Sequence, residues 1–295
     1  MAQVCKIKLN GKKSNISGAS KGFYLFLLNS WPKNWYKSAF VNSLTIIFCF
    51  LPVQGSVISM FLSEFFTENN KQVLITPEQA SHFAKGVAGD FNPLHDPSNK
   101  RFCVPGDLLF SMVLAKYGLS QRMAFNFAGM VGKDVWLNFP DTTENQFNVT
   151  DDKDKVYLGV EREGAINNDA AVIEAMARNY VEFSGHNFPH ILVPLMAEHN
   201  VMLNPERPLV IYESMEFNLS HVNFSQPPQL ELAESKLEVN GKRGVAYLIF
   251  DVKSGDEVVG TGSKKMVLSG LREFDKAAID AFCVEYLASR ENYEI

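Results

Sequence analysis

Val104-Pro105-Gly106-Asp107 leads into Leu108-Leu109-Phe110-Ser111-Met112-Val113-Leu114-Ala115-Lys116-Tyr117, a helical run whose only charge is Lys116. A helix that is apolar almost all round must be wrapped on most of its sides. The text on either side says by what. Upstream, Thr76-Pro77-Glu78-Gln79 is a helix start: a hydroxyl cap, proline at the first helical position and Gln three after the cap. Ala80, Phe83, Ala84 and Val87 follow on one face and Gly89 ends the helix. Downstream come strand-like runs at 123–131, 135–139, 146–150 and 156–162, with Gly129, Gly132, Pro140 and Asp151-Asp152-Lys153-Asp154 at the turns.

The same order recurs about a hundred residues on. A helical pattern over 171–183 ends at Ser184-Gly185, and His186-Asn187-Phe188-Pro189-His190 leads to Val193-Pro194 and an apolar segment over 195–203. A second buried helix is expected there, starting near Pro194. Strands are expected at 209–218, 229–239, 244–252 and 257–268, with Asn240-Gly241 as a hairpin turn. An amphipathic helix over 273–289 closes the chain. An antiparallel sheet curled around one apolar helix satisfies this grammar with hairpin connections alone. The expected class is α+β, a tandem hotdog, in which the two copies pair their sheets as two separate chains would in a homodimer.

The 295 residues are 46% hydrophobic and 21% charged, enough for a sizeable core. The charge is uneven. Residues 1–59 hold seven lysines and no Asp or Glu, so residues 60–295 carry a net of −12 against −5 for the whole chain. Three readings of 1–59 compete. The apolar stretch 40–53 falls short of the ~20 residues a spanning helix needs, and it starts too late for a secretory signal. The third reading is translated upstream sequence, with Met60 the true start. The expected organisation is therefore 1–59 as an extension, 60–168 as the first hotdog and 169–295 as the second with its terminal helix. Cys5, Cys49, Cys103 and Cys283 are scattered, which fits a reducing, cytoplasmic setting and gives no zinc or disulfide pattern.

Gly89-Asp90-Phe91-Asn92-Pro93-Leu94-His95 puts a carboxylate and an imidazole five residues apart in a proline-stiffened loop. Converging on one water, the two form an acid/base pair. The helix start at Gly106 offers backbone N–H groups to a developing oxyanion. The kit suits water addition next to a thioester carbonyl. A rigid turn, with Asp90 capping and His95 hydrogen-bonded, is the bland account of the same residues. His186 and His190 are spaced for a metal, but Pro189 breaks the helix that would align them. His199 reads as a satisfied core or interface residue, and Cys103 as a small buried one without a paired base.

Phe83-Ala84, Gly89 to His95 and Val104-Pro105-Gly106 together resemble the signature of the MaoC-like, (R)-specific enoyl-CoA hydratases. The resemblance implies Asp90 and His95 as the catalytic pair and Gly106, with Asn92, as substrate-binding, with no metal and no cofactor. It implies an acyl-CoA or acyl-ACP thioester as the partner and leaves homodimerisation open; no P-loop, GxGxxG or basic stripe with stacking aromatics supports a nucleic-acid partner, and a membrane partner is not expected. The chain departs from the family in its short loop from His95 to Gly106, in Pro105 before the glycine and in Leu114 where a supporting Ser is usual; Ser111 lies one turn early. Ser184 to His190, followed by Val193-Pro194, is similar to the Gly-His-Phe-Pro run of hydroxyacyl-ACP dehydratases, in a copy that has lost the Asp-x-Asn-Pro-x-His order. The whole stretch from Met60 also resembles the bacterial domain-of-unknown-function 3581 family, through Val87 to Asp90, Arg101 to Leu109 and Val267 to Arg272. The alternative to a hydratase is a non-catalytic acyl-thioester-binding or structural protein of the same fold.

Overall fold

Thr76 begins the first helix as its sequence requires. Its Oγ1 accepts from the Gln79 N–H at 3.2 Å while Gln79 Oε1 accepts from the Thr76 N–H at 3.0 Å. The computed structural model describes residues 60–293, so the expectations for 1–59 lie outside the described residues. Helix α1 (Pro77–His82) runs into a wider helical turn, Phe83–Val87, before the loop at Gly89.

Helix α2 (Gly106–Tyr117) is buried from Asp107 through Leu114, as its apolar run demands. Helix α3 (Ala170–Gly185), capped by Asp169, packs against it. Around them lies one ten-stranded antiparallel sheet. Its strands are β1 (Thr67–Asn69), β2 (Gln72–Leu74), β3 (Leu119–Asn126), β4 (Trp136–Asn138), β5 (Gln146–Thr150), β6 (Val156–Asn167), β8 (Val210–Leu219), β9 (Pro228–Asn240), β10 (Arg243–Ser254) and β11 (Glu257–Ser269). β7 (Val201–Met202) and β12 (Arg272–Glu273) pair separately, and α5 (Lys276–Glu291) closes the chain.

The sheet order is β1-β2-β4-β5-β6-β3-β8-β11-β10-β9. The four strands after α2 lie as β4-β5-β6-β3, and the last four as β8-β11-β10-β9. The second order mirrors the first about the β3–β8 pair, where Arg122 faces Asn218 and Asn126 faces Ser214. Two runs of four strands thus share one surface, and the described residues belong to a single compact unit. The expected break between residues 168 and 169 falls in the connection from β6 to α3.

The second buried helix is where the sequence reading fails. The apolar segment 195–203 is not one helix. Helix α4 (Leu192–Glu198) has seven residues, Pro194 sits inside it on the exposed side, and the chain turns at Asn200 with φ 53° before β7. Of α4, Leu192, Leu195 and Met196 are buried in a core and Val193 packs against it; Met202 and Leu203 join that core from beyond the turn. The polar run Glu198-His199-Asn200 stops the helix, and His199 is exposed rather than buried. Elsewhere the errors are of register: β3 begins at Leu119 rather than Met123, and β6 runs on to Asn167. The core is in two parts. One surrounds α2, α3 and the central strands; the other joins α4, β7, the ends of β9 to β11 and Ile279 of α5.

Candidate active site

The loop that carries Asp90 is fixed from both sides. After the wide turn, the Asp90 N–H closes on Ala84 O at 2.8 Å. Asn92 Oδ1 accepts from the Leu94 N–H at 3.1 Å and Asp90 Oδ1 from the Asn92 N–H at 2.9 Å, so Pro93–His95 makes one short helical turn. Asn99 Nδ2 donates to Pro93 O at 2.7 Å, and the Cys103 N–H to Leu94 O at 2.9 Å, folding the short 96–105 connection back on the loop. Lys85 and Asp96 tie it to the preceding helix with a 2.6 Å ion pair.

His95 is buried. Its Nδ1 lies 2.8 Å from the Cys103 carbonyl. A carbonyl only accepts, so Nδ1 carries the hydrogen and Nε2 is left facing Asp90 Oδ2 at 3.6 Å. Burial alone would push His95 down, but the Asp90 carboxylate and the Cys103 side chain hold it well above 6.5. Burial likewise pushes Asp90 up, yet His95 and the Asn92 N–H outweigh it and leave the carboxyl below 3.8. The pair is thus poised as carboxylate and imidazolium.

Asp90, Asn92, His95 and Gly106 all line one cavity of about 350 Å³ at the seam between the two cores. Gly106 opens α2, so its N–H has no partner within the helix. A Cβ there would lie 2.9 Å from both the Phe127 and Tyr212 rings, so only glycine lets the aromatics close over this backbone. Asn92 spends its side-chain oxygen on the loop, which makes it a holder of the turn. Neither Ser111, which donates to Asp107 O at 2.8 Å, nor Leu114 is on the lining. His186 is turned away from the cavity against Arg290. His190 is exposed, and among the described residues no cluster could hold a metal.

Several residues on the lining carry polar groups that the sequence did not point to. Ser184, at the end of α3, donates to Asp107 Oδ2 at 2.6 Å and accepts from Lys264. Lys264 of β11 lies 4.3 Å from the centroid of Tyr212, whose hydroxyl meets that of Tyr180. Tyr286 of α5 donates to Asp90 Oδ1. One signal was legible: Lys264 occupies the inward phase of β11, between buried Gly262 and Met266, where alternation calls for an apolar residue.

A family model described as "Protein of unknown function (DUF3581)" matches residues 60–277. No curated protein matches the chain. Among solved structures, the chain is similar to an acyl-CoA thioesterase II, TesB2, from Mycobacterium marinum at 10% identity, covering 58% of this chain and 90% of that one, with a TM-score of 0.37. It is also similar to a conserved protein of unknown function with a hot dog fold from Alicyclobacillus acidocaldarius, at 11% identity, 72% and 99% coverage and a TM-score of 0.40. A putative oleoyl thioesterase from Lactobacillus plantarum matches at 7% identity, 72% and 94% coverage and a TM-score of 0.29.

Proposed function

The chain belongs to the DUF3581 family of proteins of unknown function, and we propose that its cavity is the active site of a hydro-lyase that adds water to, or removes it from, an enoyl or 3-hydroxyacyl thioester of CoA or ACP. The observation that carries this reading is the Asp90–His95 pair, a depressed carboxylate and a raised imidazolium 3.6 Å apart on one cavity wall. That separation is outside direct hydrogen-bond range and suits one water oxygen held by both. On this reading the mirrored strand order is a tandem hotdog of the MaoC-like kind, with Asp90 and His95 in the half that works.

In the hydration direction Asp90 takes a proton from the water as its oxygen bonds to the β-carbon. The double-bond electrons move to the α-carbon and thioester oxygen, which the Gly106 N–H holds at the start of α2. The His95 imidazolium gives its Nε2 proton to the α-carbon. The proton on Asp90 then passes to His95, which restores the pair. One water is consumed and no cofactor enters. Cys103 acts through its carbonyl, which keeps the Nδ1 hydrogen in place and leaves Nε2 for chemistry.

The test is hydration of short- and medium-chain enoyl-CoA by the wild type, Asp90→Asn, His95→Ala and the double variant. Each single change is expected to lower kcat/KM by ~10²–10⁴. The double variant should lose little more than the worse single, because both groups act on one water. Wild-type protein that binds saturated acyl-CoA but hydrates no enoyl thioester would favour the binding-module reading instead.

A further inference from the structure

Lys264 is 4% exposed, yet among the described residues its ammonium has only the Ser184 hydroxyl and the Tyr212 ring face against it. Among the described residues no carboxylate oxygen lies within 4.0 Å of Nζ. A buried cation is ordinarily paired with an anion, because unpaired burial costs several kcal/mol. Across Ser184, Asp107 is 6% exposed, and among the described residues its Oδ1 has no hydrogen-bond partner. Asn187, 3% exposed, has neither its Nδ2 nor its Oδ1 bonded among those residues. All three line the cavity that holds Asp90 and His95. Unsatisfied buried polar groups are rare and each needs a reason; here three residues with unmet polar capacity line one cavity.

We propose that Lys264, Asp107 and Asn187 form a second station in this cavity that takes a carboxylate carried by the acyl group, so that the substrate is the half-thioester of a short dicarboxylic acid. This rests on the reading of the cavity as an acyl-thioester site. The charges fit. Burial pushes the Asp107 carboxyl up against the opposing pull of Lys264 and Ser184, and pushes the Lys264 ammonium down against the opposing pull of Asp107 and Asp90; an incoming anion favours the charged lysine and the protonated Asp107, which has an O–H to give. A ligand carboxylate would accept from Lys264 Nζ, from the Asp107 hydroxyl and from Asn187 Nδ2. A plain alkyl chain would leave all three unmet. The CoA phosphates are an unsuitable source of the anion, since Lys264 sits in the inward phase of β11 and almost out of reach of solvent.

The experiment uses two pairs of probes equal in carbon count. Crotonyl-CoA and the CoA monothioester of fumaric acid are compared for turnover, and butyryl-CoA and succinyl-CoA for binding, in wild type and Lys264→Met. The carboxylated member should be preferred in the wild type, and Lys264→Met should lower the preference ratio about 30-fold or more, the scale of losing one partner of a buried charge pair. The binding comparison within the wild type needs no variant to fold. A wild type that prefers the uncharged member, or shows no preference, overturns the carboxylate station even if crotonyl-CoA is hydrated, and the hydratase reading stands. A Lys264-dependent preference for succinyl-CoA without turnover of either enoyl thioester upholds the station and overturns the hydratase reading. A preference that survives Lys264→Met overturns the role of Lys264, and failure to bind any of the four overturns both.

Discussion

Tyr286, on the last helix, donates its hydroxyl hydrogen to Asp90 Oδ1 at 3.4 Å across 196 positions of sequence. The same hydroxyl accepts from the Phe91 N–H at 3.1 Å, and the Tyr286 ring meets Phe91 edge-on. Helix α5 therefore reaches the Asp90 carboxylate through one atom and the loop backbone through the same atom. Burial and the Asp90 charge push the phenol far above its ordinary range, so it stays a donor at any working pH.

Tyr286→Phe keeps the ring and removes the hydroxyl, which leaves a buried N–H unpaired. We expect a loss of about 1 kcal/mol, seen as a melting shift of about 2–4 °C. Turnover should fall less than in Asp90→Asn, because Asp90 keeps the Asn92 N–H. A variant as stable as the wild type would show that α5 does not anchor the loop.

What could be read from the sequence was local. The cap at Thr76 and the apolar run of α2 are decided by neighbours a few residues away, and both stand as written. The Asp90-to-His95 loop was legible because Asn92 and Pro93 fix it internally. Tyr286, Ser184 and Asp107 were missed because their meaning lies in partners distant in sequence: Asp90 for the first, and for the other two each other and Lys264. The segment after Pro194 misled because apolar content does not distinguish a buried helix from a short helix, a turn and a strand edge. The β1–β2 hairpin left no glycine signal, since Asn70 and Lys71 themselves take φ of 48° and 69°.

The poise of the Asp90–His95 pair predicts the pH profile. Activity should fall on the acid side as Asp90 protonates, below 3.8, and on the alkaline side as His95 deprotonates, well above 6.5. Stability follows the same signs. The lowered Asp90 contributes above 3.8 and is lost as pH falls through its folded value; the raised His95 contributes below 6.5 and is lost as pH rises through its own. Both contributions are whole between those reference values. In Asp90→Asn the partner charge is gone and burial pulls the imidazole down, so a proton NMR titration should find His95 well below its wild-type value. An unchanged value would mean that Asp90 does not hold the imidazolium.

Arg162, buried on β6, donates to Tyr117 O and Thr142 O at 3.2 Å each and to Glu144 O at 3.0 Å. Tyr117 ends α2, so the guanidinium also meets the negative end of that helix. Arg162→Leu strips three carbonyls of their donor and should cost at least about 2 kcal/mol in urea unfolding. Arg162→Lys should recover only part, because an ammonium cannot serve three carbonyls spread around a planar fork. Full recovery by lysine would show that charge alone matters there.

Gly185 ends α3 against the backbone that leads into the loop of Asp90 and His95. A Cβ at Gly185 would lie 1.8 Å from Ala88 O, 2.7 Å from Ala88 C and 3.2 Å from the Asp90 N. The obstacle is backbone, which cannot rotate away as a side chain can, so α3 or the loop must shift. Overpacking of this kind costs about 1–3 kcal/mol where side chains absorb it, and Gly185→Ala should fall at or beyond the top of that range. Because the displaced atoms adjoin Asp90, kcat should drop even at temperatures where the variant is fully folded. Gly132→Ala is the matched control: a Cβ there meets nothing within 4 Å, so stability should stay within about 0.5 kcal/mol of wild type. Equal melting temperatures for the two variants would show that α3 does not press on the Ala88–Asp90 backbone.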